Sequence, residues 1–127
     1  MKRTALISKM IFGTFILALT VFCFFPSSSY ADAPKDVTIQ YDSVSQTLSV
    51  TITHKSSLPS FHRIKTVEIK KNNALVNTTS YDTQPTEVPF TYTYKVATAP
   101  GDKLEATATC SLSGSKTATT TVTNAGK

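Results

Sequence analysis

The 127-residue chain holds two histidines and two cysteines, and three of these four residues can do metal chemistry together. His54 and His62 flank a Ser/Pro loop in the stretch HKSSLPSFHRIKTVEIK (residues 54–70), and Cys110 lies far downstream. Two imidazoles and a thiolate are borderline-to-soft donors that suit iron, copper or zinc. A plainer role stands beside each ligand role. Loop-end histidines commonly hydrogen-bond to backbone, and a free cysteine packs as a small hydrophobe or bridges to another chain. The choice depends on whether the elements that carry the three residues bring them to one place.

The other cysteine, Cys23, falls in a segment with the plan of a secretory signal peptide. Met1, Lys2, Arg3 and Lys9 form a basic start, an apolar run follows from Met10 to Phe25, and small residues come next. Ser29 and Ala31 fit the small-x-small pattern, which predicts cleavage after Ala31, with 1–31 as signal and 32–127 as one domain. The competing reading is an uncleaved anchor, although the apolar run is shorter than the roughly 20 residues a span needs. The expectation is therefore export to a periplasmic or extracellular space, with membrane contact only through the signal segment. Cys110 is then the one cysteine of the exported domain. Exported proteins normally pair their cysteines, and a bound metal would explain how this thiol escapes disulfide chemistry.

Removing the three basic residues of the signal leaves ten Lys/Arg against eight Asp/Glu. So balanced a domain has no basic patch, and nucleic acid is set aside as a partner. No Ser-His-Asp grouping, paired carboxylates or Gly-rich phosphate loop points to a hydrolase or a nucleotide enzyme.

The elements that must position the three residues read as strands. Val37, Ile39 and Tyr41 alternate with polar residues, as do Leu48, Val50 and Ile52, and the second alternation continues to His54. That parity turns His54 toward the core side. A third strand is expected from about Phe61 to Lys70, with His62 and Ile64 in phase. Val67 and Ile69 fall out of that phase, which predicts a bulge near Lys65-Thr66. Asn72 and Asn73 are turn residues that tolerate positive φ, and a short fourth strand runs from Leu75 to about Ser80. After a loop over Asp82 to Pro89, the alternation Phe90, Tyr92, Tyr94, Val96 marks a fifth strand. Leu104, Ala106, Ala108 and Cys110 share one face of a sixth, and Lys116 to Val122 form a seventh.

Seven short strands with regular turns predict an all-β, immunoglobulin-like antiparallel β-sandwich. In such a fold the strands alternate in direction. His54 closes strand two, His62 opens strand three, and strand six arrives at that same end with Cys110 as its last inward residue. The three donors converge by topology, not by proximity in sequence.

At this point the sequence resembles a known family. The His-led loop, the segment HRIKTVEI, then LVNTTSYDTQP, FTYTYKV and APGDKLEATATCSLSG are similar to the iron domain of desulfoferrodoxin and neelaredoxin, the superoxide reductases. That family binds iron through one cysteine and four histidines, with a vacant position for superoxide. The resemblance implies His54 and His62 as two of the histidine ligands, Cys110 as the axial thiolate, and iron as the cofactor. It also implies a redox protein as partner. The chain departs from the pattern in three places, and the first is a histidine loop longer than the family's H-P-x-x-x-x-H. Where the family has C-x-x-H, this chain has Cys110-Ser111-Leu112-Ser113, and its Lys-His-Val resembles Lys35-Asp36-Val37, with Asp36 where a histidine belongs. The strand order and the PGDK turn are similar as well to the sulfur-oxidation carrier subunit SoxZ. That likeness implies the alternative of a metal-free interaction or carrier module with a partner in sulfur metabolism.

Overall fold

Alternating apolar residues need two layers to bury them, and the chain supplies two. The computed structural model describes residues 33–124, so the signal-peptide reading of 1–31 lies outside the described residues. Seven strands follow in order: β1 (Asp36–Asp42), β2 (Thr47–Thr53), β3 (Ile64–Lys71), β4 (Ala74–Ser80), β5 (Phe90–Lys95), β6 (Lys103–Cys110) and β7 (Ser115–Thr121). They form one antiparallel sheet in the order β1-β2-β5 and a second in the order β4-β3-β6-β7. This is the all-β sandwich that the alternation predicts.

The core lies between the sheets. Leu48, Val50 and Ile52 face it from β2, Ile64, Val67 and Ile69 from β3, and Leu104, Ala106 and Ala108 from β6, all of them fully shielded from water. Burying each Leu, Ile or Val side chain stabilises the fold by about 1.5–3 kcal/mol. Small alanines alternate with the large side chains of β3 across the pair Ile69↔Ala106 and Val67↔Ala108, which lets the layers interdigitate.

The expected bulge is present. Ile64 pairs with Cys110 and Thr66 with Thr109, so Lys65 is the extra residue on β3. An inserted residue changes the parity of a strand, and this one allows Ile64 and Val67 to face the same core across an odd spacing. A second shift between Ile69 and Lys70 leaves Val76 as the extra residue on β4. Asn72 and Asn73 make a two-residue hairpin with φ of 51° and 67°, the left-handed pair that a type I′ turn requires.

The third strand begins later than the alternation predicts. It opens at Ile64, and the residues from Phe61 to Arg63 belong to the loop. The cause is local hydrogen bonding. Leu58 O accepts from both Phe61 N–H (2.9 Å) and His62 N–H (2.8 Å), which coils the chain back before it can join the ladder.

Candidate metal centre

Three elements deliver the candidate donors to one end of the sandwich. His54 follows the last residue of β2 in the three-stranded sheet, and the inward parity of that strand carries it into the interior, where it is 2 % exposed. Cys110 is the last residue of β6 in the other sheet, on the face of Leu104, Ala106 and Ala108, and is 4 % exposed. His62 comes from the coiled loop before β3. Its side chain is half-buried, and its Nε2 atom is shut off from solvent.

The donor atoms of His54, His62 and Cys110 all lie within 4.8 Å of one another, the one such cluster of three His, Cys, Asp or Glu donors among the described residues. A zinc-like ion sits about 2.0–2.3 Å from its ligands and draws them to about 3.5–4 Å from one another. Side-chain shifts of about 1 Å would therefore close the cluster around an ion. The imidazoles meet edge to face, with ring centroids 4.7 Å apart and planes at 81°. The cluster can hold a metal ion, and the chemistry of its donors fits one. A Cys–His nucleophilic pair also needs these residue types, but a nucleophile must reach its substrate, and both Cys110 and His54 are buried.

The backbone on both sides of His62 is fastened to the residue that follows Cys110. Ser111 Oγ donates to Phe61 O (2.7 Å) and accepts from Arg63 N–H (3.1 Å), while Ser111 N–H donates to Arg63 O (2.8 Å). Three bonds to one serine thus bracket His62 and hold it at the level of Cys110. Arg63 adds two more, from Nε to Tyr81 O and from Nη1 to Ser60 O, each 2.8 Å. The adjoining hairpin closes tightly, with Cys110 N–H on Gly114 O at 2.9 Å.

His54 is held by Gln84, which is 5 % exposed. Gln84 Oε1 lies 2.7 Å from His54 Nδ1 and accepts from Ile64 N–H at 2.9 Å. Gln84 Nε2 donates to His54 O at 2.8 Å. Sequence reasoning did not single out Gln84. It lies in the segment LVNTTSYDTQP quoted for the resemblance, but nothing there gave it a role, and only the folding of residues 81–89 over the end of the sandwich brings it to His54.

The two positions where the family-like pattern lacks a histidine are also placed. Ser113 lies half-buried in the turn between β6 and β7. Asp36 opens β1 opposite Thr53, at the same end as His54, but its carboxylate is on the surface 3.5 Å from Lys116 Nζ. It does not join the donor cluster.

Neither known protein families nor curated protein sequences match the chain.

Proposed function

We propose that this chain is an exported metal-binding domain that holds iron through His54, His62 and Cys110 and serves a redox role. One observation carries the reading: three donors from distant parts of the sequence lie within 4.8 Å of one another at one end of the sandwich. The donor set alone suits iron, copper or zinc, and the desulfoferrodoxin resemblance favours iron. Three protein donors leave coordination positions for water or a small substrate, as open metal sites do. When bound, iron would supply one-electron chemistry. The chain supplies a buried imidazole at His54, a half-buried one at His62 and a thiol at Cys110 shielded by burial. Because Ser113 and Asp36 stand where the family has histidines, superoxide reduction is a separate question from metal retention and is assayed separately on iron-loaded protein.

The test is elemental analysis of protein purified without a chelating tag. The wild type should carry close to one metal ion per chain, and His54→Ala and Cys110→Ser should each lose most of it. Retention of full occupancy by both variants would sink the reading.

A second reading, a metal-free interaction module, draws on a different observation. Leu58, Phe61 and Leu112 surround this same end and are 63 %, 66 % and 47 % exposed. Exposed apolar side chains grouped at one end of a domain suit a protein partner, here a redox or sulfur-metabolism protein. Wild-type protein that is folded and carries no metal would put this reading first.

A further inference from the structure

We infer that Gln84 is a positioning residue that sets the tautomer of His54, holding the ring in the Nδ1–H form so that Nε2 carries the lone pair a metal ion needs. This rests on the metal-binding reading for its purpose, but not for its geometry.

The inference starts from the side-chain amide, whose two ends are chemically different but similar in shape. Its orientation follows from two backbone groups that cannot change character. Ile64 N–H is a donor and requires an acceptor, so the atom 2.9 Å away must be Oε1. The carbonyl of His54 is an acceptor and requires a donor, so the atom 2.8 Å away must be Nε2. Rotating the amide by half a turn would set donor against donor and acceptor against acceptor, both buried, and each buried mismatch costs about 1–3 kcal/mol. The amide is therefore locked by the main chain.

With Oε1 assigned, His54 Nδ1 at 2.7 Å must be the donor, because two acceptors do not approach so closely. In a neutral imidazole only one nitrogen carries hydrogen, so Nε2 is the one with the lone pair. A histidine ligand generally donates its other ring N–H to an oxygen, which orients the ring and fixes its tautomer. Gln84 supplies that oxygen.

The same side chain also spans the two sheets at the site. It grips His54 at the end of β2 and Ile64 at the start of β3, and Ile64 is the cross-strand partner of Cys110. One amide thus relates the first imidazole to the strand pair that carries the thiol. A glutamine is long enough to do this, and it brings no charge into a buried site.

The decisive measurement is the tautomer itself, read from long-range nitrogen–proton correlations of the imidazoles. It is made on chelator-treated wild-type protein at a pH well above the ordinary imidazole value. The expected result is Nδ1–H at His54, and finding Nε2–H there would overturn the inference without any variant having to fold. In Gln84→Leu, His54 should drift toward the Nε2–H form that imidazole favours in water. Cobalt or zinc affinity should fall by about 10–100-fold. Loss of affinity with the Nδ1–H signature unchanged would make Gln84 a structural residue only and overturn its positioning role. Wild-type protein with Nδ1–H at His54 that binds no iron, cobalt or zinc would instead overturn the metal-binding reading, while the tautomer assignment stands.

Discussion

At the scale of single residues, the donor set invites a gain of function as well as a loss. Ser113 stands three residues after Cys110 in the hairpin that Gly114 closes, where the proposed desulfoferrodoxin-like reading would have a histidine. Serine is too short and too weak a donor to replace an imidazole on iron. Ser113→His should therefore tighten iron binding by roughly tenfold or more, about 1.4 kcal/mol, since the only new ordering cost is one side chain, about 1 kcal/mol. Titration of the apo-protein with ferrous iron measures it. In a Cys110→Ser background the gain should vanish, because two residues acting on one ion are coupled. An unchanged affinity in a folded Ser113→His protein would remove the reductase-like interpretation of this end of the domain. Gly114 itself is constrained twice. Its φ is 80°, and a Cβ there would stand 2.6 Å from Ala33 Cβ, so Gly114→Ala should destabilise by more than about 1 kcal/mol in a denaturant titration.

At the scale of elements, the histidine loop and the β6–β7 hairpin act as one unit through Ser111. Its hydroxyl satisfies Phe61 O and Arg63 N–H, on either side of His62. Ser111→Ala leaves both backbone groups without that partner and should cost about 2 kcal/mol of stability. The more diagnostic effect is on the site. His62 should become mobile relative to Cys110, and metal should dissociate faster from this variant than from one equally destabilised at the opposite end, such as Asn72→Ala. Equal dissociation rates in the two would show that the serine clamp does not govern the site. The tyrosine cluster belongs to the neighbouring elements. Tyr94 of β5 shares a 2.6 Å hydrogen bond with Tyr81, which stacks on Tyr92 at 4.1 Å. Burial first, and then the hydrogen bond with Tyr81, push the Tyr94 phenol well above the ordinary tyrosine value, and burial also raises Tyr92. A raised value in the folded state means that this stabilisation is complete below the unfolded value of about 10 and is lost as pH rises beyond it. Stability measured by urea titration should therefore fall on the alkaline side, and Tyr94→Phe should make that decline shallower. A slope unaltered by Tyr94→Phe would place its source elsewhere.

At the scale of the whole molecule, the cluster joins the two layers. His54 comes from the sheet of β1, β2 and β5, while His62 and Cys110 come from the end of the sheet that contains β3 and β6. An ion held by all three would cross-link the two sheets at this end of the sandwich. Metal at a hundred times its dissociation constant should add about 2.7 kcal/mol, and each kcal/mol is about 4–8 °C of Tm in a domain of this size. Hydrogen-exchange protection should rise most at residues 54, 62–64 and 110–114, and least at the turns 43–46 and 99–102 of the opposite end. Uniform protection along the chain would show that the ion does not act through this cluster. Acid should act from that opposite end. The Asp42 and Asp102 carboxyls lie below the ordinary carboxylate value, Asp42 chiefly through Ser45 and Asp102 chiefly through Ala99 N–H. Their contribution is present above the unfolded value of about 3.9 and is lost as pH falls below it. Asp42 is exposed and Asp102 lies at the surface in the turn before β6, so the effect is small.

Local alternation and turn chemistry determined the strands. Within each strand the core positions from Val37 to Ala108 follow period two except between Ile64 and Val67, and that mismatch announced the bulge at Lys65, because side-chain direction in a strand is set by counting residues. Counting also turned His54 and Cys110 inward and put them at one end. Only the tertiary structure decided the rest. The late start of β3 follows from a loop coiling onto Leu58 and Ser111, bonds that leave no periodic trace. Asp36 was marked only as a departure from the family pattern, and the approach of β7 gives it Lys116 as its ion-pair partner. Gln84 was invisible for the same reason. A single amide in a turn-rich loop gains meaning from a histidine thirty residues away, and that distance is closed by chain folding rather than by any local rule.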